Sequence, residues 1–296
     1  MTPALIVALN PSIDAEWRLD DVLWEEKNNV LGERRWAGGK GINVARWFKQ
    51  LGGEPLLALP LGGPTGRELA GFLKRERLPA TVLPLREVTR VNIIVTTTAG
   101  RQMRFNPLGP QLSAGEWTRM EKVIRGRLTR VNLLVLSGSL PRGVPVSAYG
   151  RLIRLAKGLG VRTLLDCDGP VLAAALKAGP FLVKPNEHEL AQWWGRSVAS
   201  EKLCLQAARA MSRQTRGWVL VSRGAKRALL VNAEAGGECF ATPPRVRVRN
   251  TVGAGDALLA AVARQILLGA SPEDWLGEGV ATGSRAARNT AGEIVR

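Results

Sequence analysis

A short segment toward the C-terminal end, NTVGAGDALLA, combines two glycines and an aspartate directly ahead of an apolar run. The apolar run predicts a helix over about residues 256–268, so Gly253, Ala254 and Gly255 would leave free backbone amides at its N-terminus. Such amides bind anions, and Asp256 beside them could accept a proton from an attacking hydroxyl. The simpler alternative is a tight glycine turn whose acid stabilises the helix macrodipole. The segment by itself does not decide between the two.

A second glycine-rich segment, AGGKGINVAR, stands near the N-terminus. Its paired glycines, Gly38 and Gly39, would let a ligand approach the backbone closely. Lys40 supplies a positive charge, and Asn43 could hydrogen-bond hydroxyl or phosphate groups from the first helical turn. The alternative is a glycine turn that leads into a helix with a solvated lysine.

The common nucleotide-binding motifs are absent from the sequence. Gly39 and Lys40 are followed by Gly41 and not by Ser or Thr, so there is no GxxxxGK[ST] phosphate loop. No GxGxxG follows the first apolar run, and the HRD and DFG motifs of protein kinases are missing. Any nucleotide must therefore be bound by another arrangement.

The composition indicates a globular protein with a strongly basic surface. The chain has 42 Lys and Arg against 25 Asp and Glu, a net charge of +17. This charge suits anionic ligands, but the basic residues are spread along the chain without a run or a tail, which argues against a nucleic-acid partner. With three separated cysteines and a single histidine, His188, neither a disulfide framework nor a Cys/His zinc site is expected.

The N-terminal sequence MTPALIVALNPSID has no basic region and only a short apolar stretch, which predicts a buried strand and not a signal peptide. No stretch approaches the roughly 18 apolar residues of a membrane span. We therefore predict a cytoplasmic protein that does not contact the membrane.

Short apolar runs alternate with helical patterns, which predicts a doubly wound α/β fold with a mostly parallel sheet and helices on both faces. The whole chain, residues 1–296, is expected to form one domain. The predicted strands are 4–9, 55–59, 132–136, 162–165, 181–183 and 218–221. The further predicted helices are 41–51, 66–75, 114–127, 146–158, 170–178, 187–194, 201–213 and a last segment, 280–296, that starts helical and becomes irregular.

Two segments, about residues 15–36 and 90–106, break this alternation. The first is charged and contains three tryptophans without a helical stripe, and the second predicts a hairpin with its turn at Ala99 and Gly100. We expect both to form a small antiparallel sheet that stands off the main sheet as a lid or a dimer contact.

Taken together, GGKGINVAR and NTVGAGDALLAA resemble the two signatures of the pfkB, or ribokinase-like, family of carbohydrate kinases. Further segments resemble its phosphosugar branch, typified by 1-phosphofructokinase and tagatose-6-phosphate kinase; they are LNPSID, TRVNIIV, NPLGP, SGSLPRGVP and LVKPNEHEL. Matches in this order span nearly the whole chain and are highly specific. The resemblance implies a ribokinase-like doubly wound fold with a small β-sheet lid, which agrees with the pattern of elements.

The resemblance also implies the catalytic residues. Asp256 would be the general base on a sugar hydroxyl. The backbone amides of Gly253, Ala254 and Gly255 would form the anion hole for the γ-phosphoryl group of ATP.

On the nucleotide side, the resemblance places Lys184, Asn186 and Glu189 toward the phosphates of ATP and Mg²⁺, with Glu189 acting on the metal directly or through water. Ser222 and Gly224 would border the nucleotide. Asn186 and Glu189 could instead form only a helix capping box.

On the sugar side, the resemblance implies a pocket for a phosphorylated substrate. Lys40 and Arg90 would hold the phosphate that the sugar already carries, although an arginine at a strand start could also be solvated. The other residues implied in this pocket are Asp14, Gly38, Gly39, Asn43, Asn106 and Ser139.

The predicted function is ATP- and Mg²⁺-dependent phosphorylation of a hydroxyl on a phosphorylated ketohexose, with fructose 1-phosphate to fructose 1,6-bisphosphate as the first candidate. Tagatose-6-phosphate kinase and a kinase of an uncharged sugar or nucleoside stay open, as does a homodimer formed through the lid. Outside this class, the alternative is a non-catalytic binder of sugar phosphate or nucleic acid. The intact GAGD argues against a pure binder, because a binder needs no base.

The sequence departs from the family pattern at several basic residues. Arg223, Lys226 and Arg227 lie beside the predicted nucleotide site, where the family usually has an aliphatic residue and a glycine. Arg285 and Arg288 stand where small residues are usual, in a segment that approaches adenine. These side chains could strengthen nucleotide binding or crowd the site.

Overall fold

Nine strands form the main sheet in the computed structural model, which describes residues 3–289. These strands are β1 (Ala4–Val7), β4 (Pro55–Gly62), β5 (Ala80–Leu85), β8 (Leu133–Ser137), β9 (Arg162–Asp166), β10 (Leu182–Val183), β11 (Trp218–Val221), β12 (Ala228–Asn232) and β13 (Gly237–Ala241). Their order is β13-β12-β11-β10-β9-β8-β1-β4-β5. All neighbours pair in parallel except β11 with β12 and β12 with β13. The predicted mostly parallel sheet is confirmed.

Both faces of the main sheet are buried, which explains the continuous apolar runs of its central strands. In β8, Leu134 and Leu136 pack into one hydrophobic core, whereas Leu133 and Val135 pack into a second core on the opposite face. The first core receives α3 (Ala114–Leu128), α4 (Ala148–Gly158), α5 (Gly169–Leu176), α6 (Glu187–Trp194) and α7 (Glu201–Thr215). The second receives α1 (Lys40–Gln50), α2 (Gly63–Arg75), α8 (Ala254–Leu268) and α9 (Pro272–Ala287). The predicted doubly wound fold is therefore confirmed.

A second, four-stranded sheet stands beside the main sheet. Its strands are β2 (Ser12–Leu19), β3 (Gly32–Gly38), β6 (Arg90–Thr97) and β7 (Gln102–Phe105), in the order β3-β2-β6-β7. The predicted hairpin is present, because β6 and β7 pair antiparallel. The expectation of a wholly antiparallel sheet is wrong, since β2 and β6 pair in parallel. Both strands continue from parallel main-sheet strands, β1 and β5, and so leave the main sheet in the same direction.

The chain reverses its winding between β1 and β8. From β1 the sheet grows outward through β4 and β5, and from β8 it grows the other way through β9 to β13. In open α/β sheets, ligands bind at the carboxyl ends of the strands beside such a reversal. The fold therefore places a binding cleft next to the loops that follow β1, β8 and β9.

The sequence patterns missed some elements. Strands β5, β12 and β13 were not predicted: β5 is an edge strand with a half-exposed pattern, and β12 and β13 follow β11 as antiparallel strands outside the alternation of strands and helices. The last helix, α9, begins at Pro272 and not at 280, behind a capping box of Ser271 and Asp274. The irregular end predicted after this helix lies outside the described residues from position 290 onward.

Within the part of the chain that the structure describes, no helix has the length and hydrophobicity required to cross a membrane.

The close packing of α1 on β1 gives a testable prediction. A Cβ added at Gly41 would lie 2.6 Å from Cβ and 3.1 Å from Cα of Ala8, so Gly41→Ala must push α1 away from the sheet. We expect a loss of about 1–3 kcal/mol in the free energy of unfolding. Gly126→Ala, in α3 with nothing within 4 Å of the added atom, is the matched control and should gain about 0.5–1 kcal/mol. Urea denaturation measures both; equal effects would contradict the packing argument.

Candidate active site

A cleft of about 1180 Å³ opens at the carboxyl ends of the main-sheet strands and extends under β6 and β7 of the small sheet. All but one of the predicted site residues line it: Asp14, Gly39, Lys40, Asn43, Arg90, Asn106, Ser139, Lys184, Asn186, Glu189, Ser222, Gly224, Gly253, Ala254, Gly255 and Asp256. The remaining residue, Gly38, does not line the cleft but packs against the side chain of Asp14, which does. The structure thus brings together residues that lie far apart in the sequence.

Asp256 lies in the first turn of α8 and is 6% exposed. Helix α8 packs against α1, and this contact brings the Nδ2 amide of Asn43 to 2.9 Å from Oδ2 of Asp256. Burial, followed by the negative charge of Asp166, raises the pKa of Asp256 to about 6. The Asn43 hydrogen bond and the ammonium groups of Lys40 and Lys184 oppose this rise in pKa. A carboxylate in this state can accept a proton near neutral pH.

The N-terminus of α8 opens into the same cleft. Gly253 takes the helix N-cap position with φ 81°, a conformation that favours glycine, and no side chain hydrogen-bonds this end within the described residues. The Ala254 amide reaches only the carbonyl of Thr251, at 3.4 Å. These amides are therefore available to an anion next to Asp256. The helix begins at Ala254, two residues earlier than predicted, so the aspartate lies inside its first turn.

Asp166, which the sequence analysis missed, is the most buried charged residue of the cleft, with no exposed surface. Its Oδ1 accepts a hydrogen bond from Nζ of Lys40 at 3.1 Å, and its Oδ2 lies 3.3 Å from Nζ of Lys184. Burial alone would raise the pKa of Asp166, but the two ammonium groups outweigh it and hold the pKa below its ordinary value. Asp166 in turn raises the pKa of Lys40. The sequence feature that could have indicated Asp166 is its place as a single acidic residue at the end of an apolar strand.

Asp14 belongs to β2 of the small sheet and is also nearly buried. Its Oδ1 accepts hydrogen bonds from Ser12 Oγ at 2.8 Å and from Nδ2 of Asn92 at 2.9 Å. Burial raises its pKa, although these two bonds lower it. Gly38 leaves room for this carboxyl, since an added Cβ would lie 2.1 Å from Cγ of Asp14. Asn92 is a second residue that the sequence analysis left without a role; it lies within TRVNIIV.

Arg90 stands at the start of β6 with its guanidinium half-buried. It donates to the backbone carbonyls of Pro107 at 2.8 Å and Asn10 at 2.9 Å, while its buried Nε has no partner among the described residues. Asn10, also missed, donates from Nδ2 to Oγ of Ser139 at 3.0 Å. These bonds join Arg90, Asn10 and Ser139 into one polar wall, whereas Asn106 lines the cleft as an exposed residue.

Asn186 and Glu189 form the capping box of α6. The amide of Glu189 donates to Oδ1 of Asn186 at 2.8 Å, and the Asn186 amide donates to Oε2 of Glu189 at 2.9 Å. The other oxygen of Glu189, Oε1, lies 3.6 Å from Nζ of Lys40. A β-bridge between Asn186 and Ser222 brings the turn that carries Gly224 to the same side of the cleft. The capping role is real and leaves one carboxylate oxygen facing the cleft.

The three unusual basic residues beside this turn are held by two glutamates. Arg223, buried, donates from Nε to Oε1 of Glu187 at 2.9 Å and lies 3.3 Å from Oε2 of Glu201. Lys226 pairs with Glu187 at 3.2 Å, and Arg227 pairs with Glu201. Their charges are therefore paired with carboxylates, although Arg223 itself lines the cleft. Separately, Arg285 and Arg288 are exposed on the last helix turn and are not among the residues that line the cleft.

A doubly wound α/β sheet with a buried carboxylate beside uncapped helix amides is typical of an enzyme of phosphoryl transfer. The model of the pfkB family carbohydrate kinases matches residues 13–293. The chain belongs to this family, as its sequence motifs predicted, and it is a phosphosugar kinase.

Two curated relatives and one crystal structure illustrate the similarity. ATP-dependent 6-phosphofructokinase isozyme 2 of Escherichia coli (strain K12) is 34% identical, covering 96% of this chain and 92% of that protein. 1-Phosphofructokinase of Bacillus subtilis (strain 168) is 31% identical, covering 95% and 91%. The crystal structure of phosphofructokinase-2 from Escherichia coli in complex with fructose-6-phosphate is 33% identical with a TM-score of 0.90, covering 97% of this chain and 94% of that one.

Because Asp256 is buried, replacing its carboxyl with an uncharged group should stabilise the protein. Because its pKa rises to about 6, ionising this carboxyl costs about 3 kcal/mol more in the folded protein than in the unfolded chain. Asp256→Asn should therefore raise the free energy of unfolding by up to about 3 kcal/mol at about pH 8. The gain should shrink as pH falls through about 6 and vanish below about pH 4, where the wild-type carboxyl is protonated in both states.

Urea denaturation of both proteins across this pH range measures the effect. Asp166→Asn is the opposite control: it should destabilise the protein at about pH 8, because it leaves the buried ammonium of Lys184 without its carboxylate. A pH-independent difference between wild type and Asp256→Asn would contradict the assigned pKa.

Proposed function

We propose that this protein transfers the γ-phosphoryl group of ATP to a hydroxyl group of a phosphorylated ketohexose. The observation that carries the proposal is the buried Asp256 carboxylate, with its raised pKa, next to the uncapped amides of α8. The same cleft holds Arg90 and Asp14, which suit a sugar that carries both hydroxyl groups and a phosphate. Membership of the pfkB family supports the same reaction.

The chemistry at this site is a single phosphoryl transfer. Asp256 accepts the proton of the sugar hydroxyl while the hydroxyl oxygen bonds to the γ-phosphorus and the bond from that phosphorus to the β–γ bridging oxygen breaks. The amides of Gly253, Ala254 and Gly255 donate hydrogen bonds to the phosphoryl oxygens, which carry the developing charge. ADP and a sugar bisphosphate leave as products. Positioning and charge stabilisation supply most of the rate enhancement.

Two lysines serve the transferred phosphoryl group. Lys184 and Lys40 lie on either side of Asp166, and Nζ of Lys184 lies next to Gly255, 3.4 Å from the position of a Cβ there. The sequence resemblance assigns Lys40 to the phosphate of the sugar. Its contacts with Asp166 and Glu189 support a second role for Lys40, at the phosphates of ATP.

The donor set of the cleft fits a Mg²⁺ ion that is bound mainly by phosphate and water. The described residues contain no cluster of three or more His, Cys, Asp or Glu side chains able to hold a metal. Two carboxylates line the cleft: Glu189, with Oε1 3.6 Å from Nζ of Lys40, and Asp166, with Oδ2 3.3 Å from Nζ of Lys184. These two side chains would hold the ion through its water ligands, in keeping with the reluctance of Mg²⁺ to dehydrate. An ion held there would neutralise charge on the phosphates of ATP.

On the opposite side of the cleft, Asp14 orients the sugar. Its second oxygen is available to a sugar hydroxyl, because Ser12 and Asn92 both donate to Oδ1. Arg90 lines the cleft and is fixed by the carbonyls of Asn10 and Pro107, which suits its guanidinium to pair with the phosphate of the sugar. Ser139 and Asn106 complete the phosphate pocket.

Fructose 1-phosphate is the first candidate substrate, supported by the 31% identity to a 1-phosphofructokinase. Fructose 6-phosphate is the second candidate, supported by the 34% identity to a 6-phosphofructokinase and by the similarity to a structure that contains fructose-6-phosphate. Both sugars present a hydroxyl at one end and a phosphate at the other. The choice between them therefore rests on the shape of the pocket.

We also propose a homodimer formed through the small sheet. The β2–β3 connection exposes Leu23, Trp24 and Leu31, at 57%, 75% and 60%, which is an apolar surface suited to a second copy of the chain. A phosphofructokinase-2 of Escherichia coli has been described in a tetrameric inhibited form. A single domain over residues 1–296 and a cytoplasmic location remain predictions.

The central test is an ATP-consumption assay over phosphorylated and free ketohexoses. We expect turnover with fructose 1-phosphate or fructose 6-phosphate and none with the uncharged sugars. Asp256→Asn should bind the sugar phosphate normally and lose at least about a hundredfold in kcat, because the general base is gone. Turnover of free sugars alone, or near-normal kcat in the variant, would refute the proposal.

Arg90→Ala tests the phosphate pocket. Loss of its guanidinium should raise the KM for the sugar phosphate at least about tenfold and change the KM for ATP by less than about threefold, because a charged hydrogen bond is lost on one substrate only. Arg101→Ala is the matched control, since Arg101 follows the same strand β6 but pairs with Asp21 at the surface. Equal effects of Arg90→Ala on both substrates would show that Arg90 does not bind the sugar phosphate.

A further inference from the structure

Arg46, in α1, is anchored by a two-point ion pair. Its Nε donates to Oε2 of Glu76 at 2.8 Å and its Nη2 donates to Oε1 of the same residue at 3.0 Å. The two side chains are only 10% and 12% exposed, so this planar pair is shielded from water and holds the guanidinium in one orientation. Nη2 also donates to the carbonyl of Ala37 at 2.8 Å, near the end of β3. Arg46 therefore joins α1, the end of α2 and the small sheet.

The third nitrogen of this guanidinium, Nη1, is linked to Asp256 through the side chain of Asn43. Nη1 of Arg46 donates to Oδ1 of Asn43 at 2.9 Å, and Nδ2 of Asn43 donates to Oδ2 of Asp256 at 2.9 Å. If the Asn43 amide rotated by half a turn, its NH₂ would face the guanidinium and its oxygen would face the carboxylate. Both hydrogen bonds would then be lost. The amide thus has one orientation as long as Arg46 stays in place.

We propose that Arg46 is a positioning residue for phosphoryl transfer: it locks the Asn43 amide, which holds one carboxylate oxygen of Asp256 and leaves the other free for the substrate hydroxyl. This inference rests on the proposed role of Asp256 as the base. Neither Arg46 nor Glu76 lines the cleft, so the effect of Arg46 on Asp256 passes through Asn43 and does not require contact with substrate.

The charge state of Asp256 gives this role a measurable signature. The groups that face Asp256 are Asn43 and Lys40 from α1, Asp166 at the end of β9 and Lys184 after β10. Of these, the Asn43 hydrogen bond lowers the pKa of Asp256 and is the one that depends on Arg46. Removal of Arg46 should therefore raise the pKa of Asp256 while Asp166 and both lysines remain in place.

The test is Arg46→Met, assayed for kcat, for KM of the sugar phosphate and for the pH dependence of kcat/KM. We expect kcat to fall at least about tenfold, the effect of one hydrogen bond to a charged group, with less than about a threefold change in KM. The acid limb of the pH profile should move to higher pH. Asn43→Ala combined with Arg46→Met should be no worse than Asn43→Ala alone, because Arg46 acts through Asn43.

Arg35→Met is the matched control. Arg35 makes the same kind of two-point pair with α2, from Nε and Nη2 to Glu68 at 2.8 and 2.9 Å, but it has no bond to Asn43. It should leave kcat and the acid limb unchanged. Arg46→Met behaving like Arg35→Met would overturn the proposal, as would additive loss in the double variant. Glu76→Gln, which weakens only the anchor, should shift the limb in the same direction by less, and it serves if Arg46→Met is unstable in urea denaturation.

A second measurement separates this proposal from the proposed function. NMR titration of the aspartate side-chain carboxyl carbons reports the pKa of Asp256 without turnover. A higher pKa in Arg46→Met than in wild type supports the link from Arg46 to Asp256 even if no sugar phosphate is a substrate. An unchanged pKa overturns it even if the kinase activity is present.

Discussion

The site depends on two lysine ammonium groups that both pair with one buried carboxylate, Asp166, and not with the other, Asp256. Lys40 and Lys184 both lie against Asp166, which stays ionised although it has no exposed surface. Burial, followed by the charge of Asp166, raises the pKa of Asp256 to about 6, and the two ammonium groups only partly oppose this rise. Two carboxyl groups whose pKa values are driven apart in this way can take separate roles. Asp166 pairs with both cations, and under the proposed function Asp256 exchanges the proton.

This balance depends on how the fold brings strand ends and helix ends together. Asp166 and Lys184 follow neighbouring parallel strands, β9 and β10, while Lys40 begins α1. Helix α1 can pack directly on Ala8, the residue after β1, because Gly41 has no side chain. Its contact with α8 then carries Asn43 to Asp256. A small outward movement of α1 would displace both Lys40 and Asn43, which lower the pKa of Asp256.

Much of this arrangement could be predicted from the sequence, because local patterns carried it. The alternation of short apolar runs with helical patterns predicted the doubly wound sheet, and the two glycine-rich motifs contain Asp256, Lys40 and Asn43, which all line the cleft. Three site residues could not be predicted, because each is a single polar residue whose partners are distant in sequence: Asp166, Asn10 and Asn92. Lys40, for example, is 126 positions from Asp166. The parallel pairing of β2 with β6 was also missed, since it depends on the direction in which β1 and β5 leave the main sheet. Pairing of Arg223 with Glu187 and Glu201 likewise required the fold.

The most direct test of the central claim is the pH dependence of kcat/KM for wild type and for Asp166→Asn. Wild type should lose activity below about pH 6 with the slope of a single ionisation, because Asp256 must be deprotonated to accept the hydroxyl proton. Loss of the neighbouring negative charge in Asp166→Asn should move this acid limb to lower pH while reducing the maximum rate. A wild-type limb near pH 4, or a limb that Asp166→Asn leaves in place, would contradict the account.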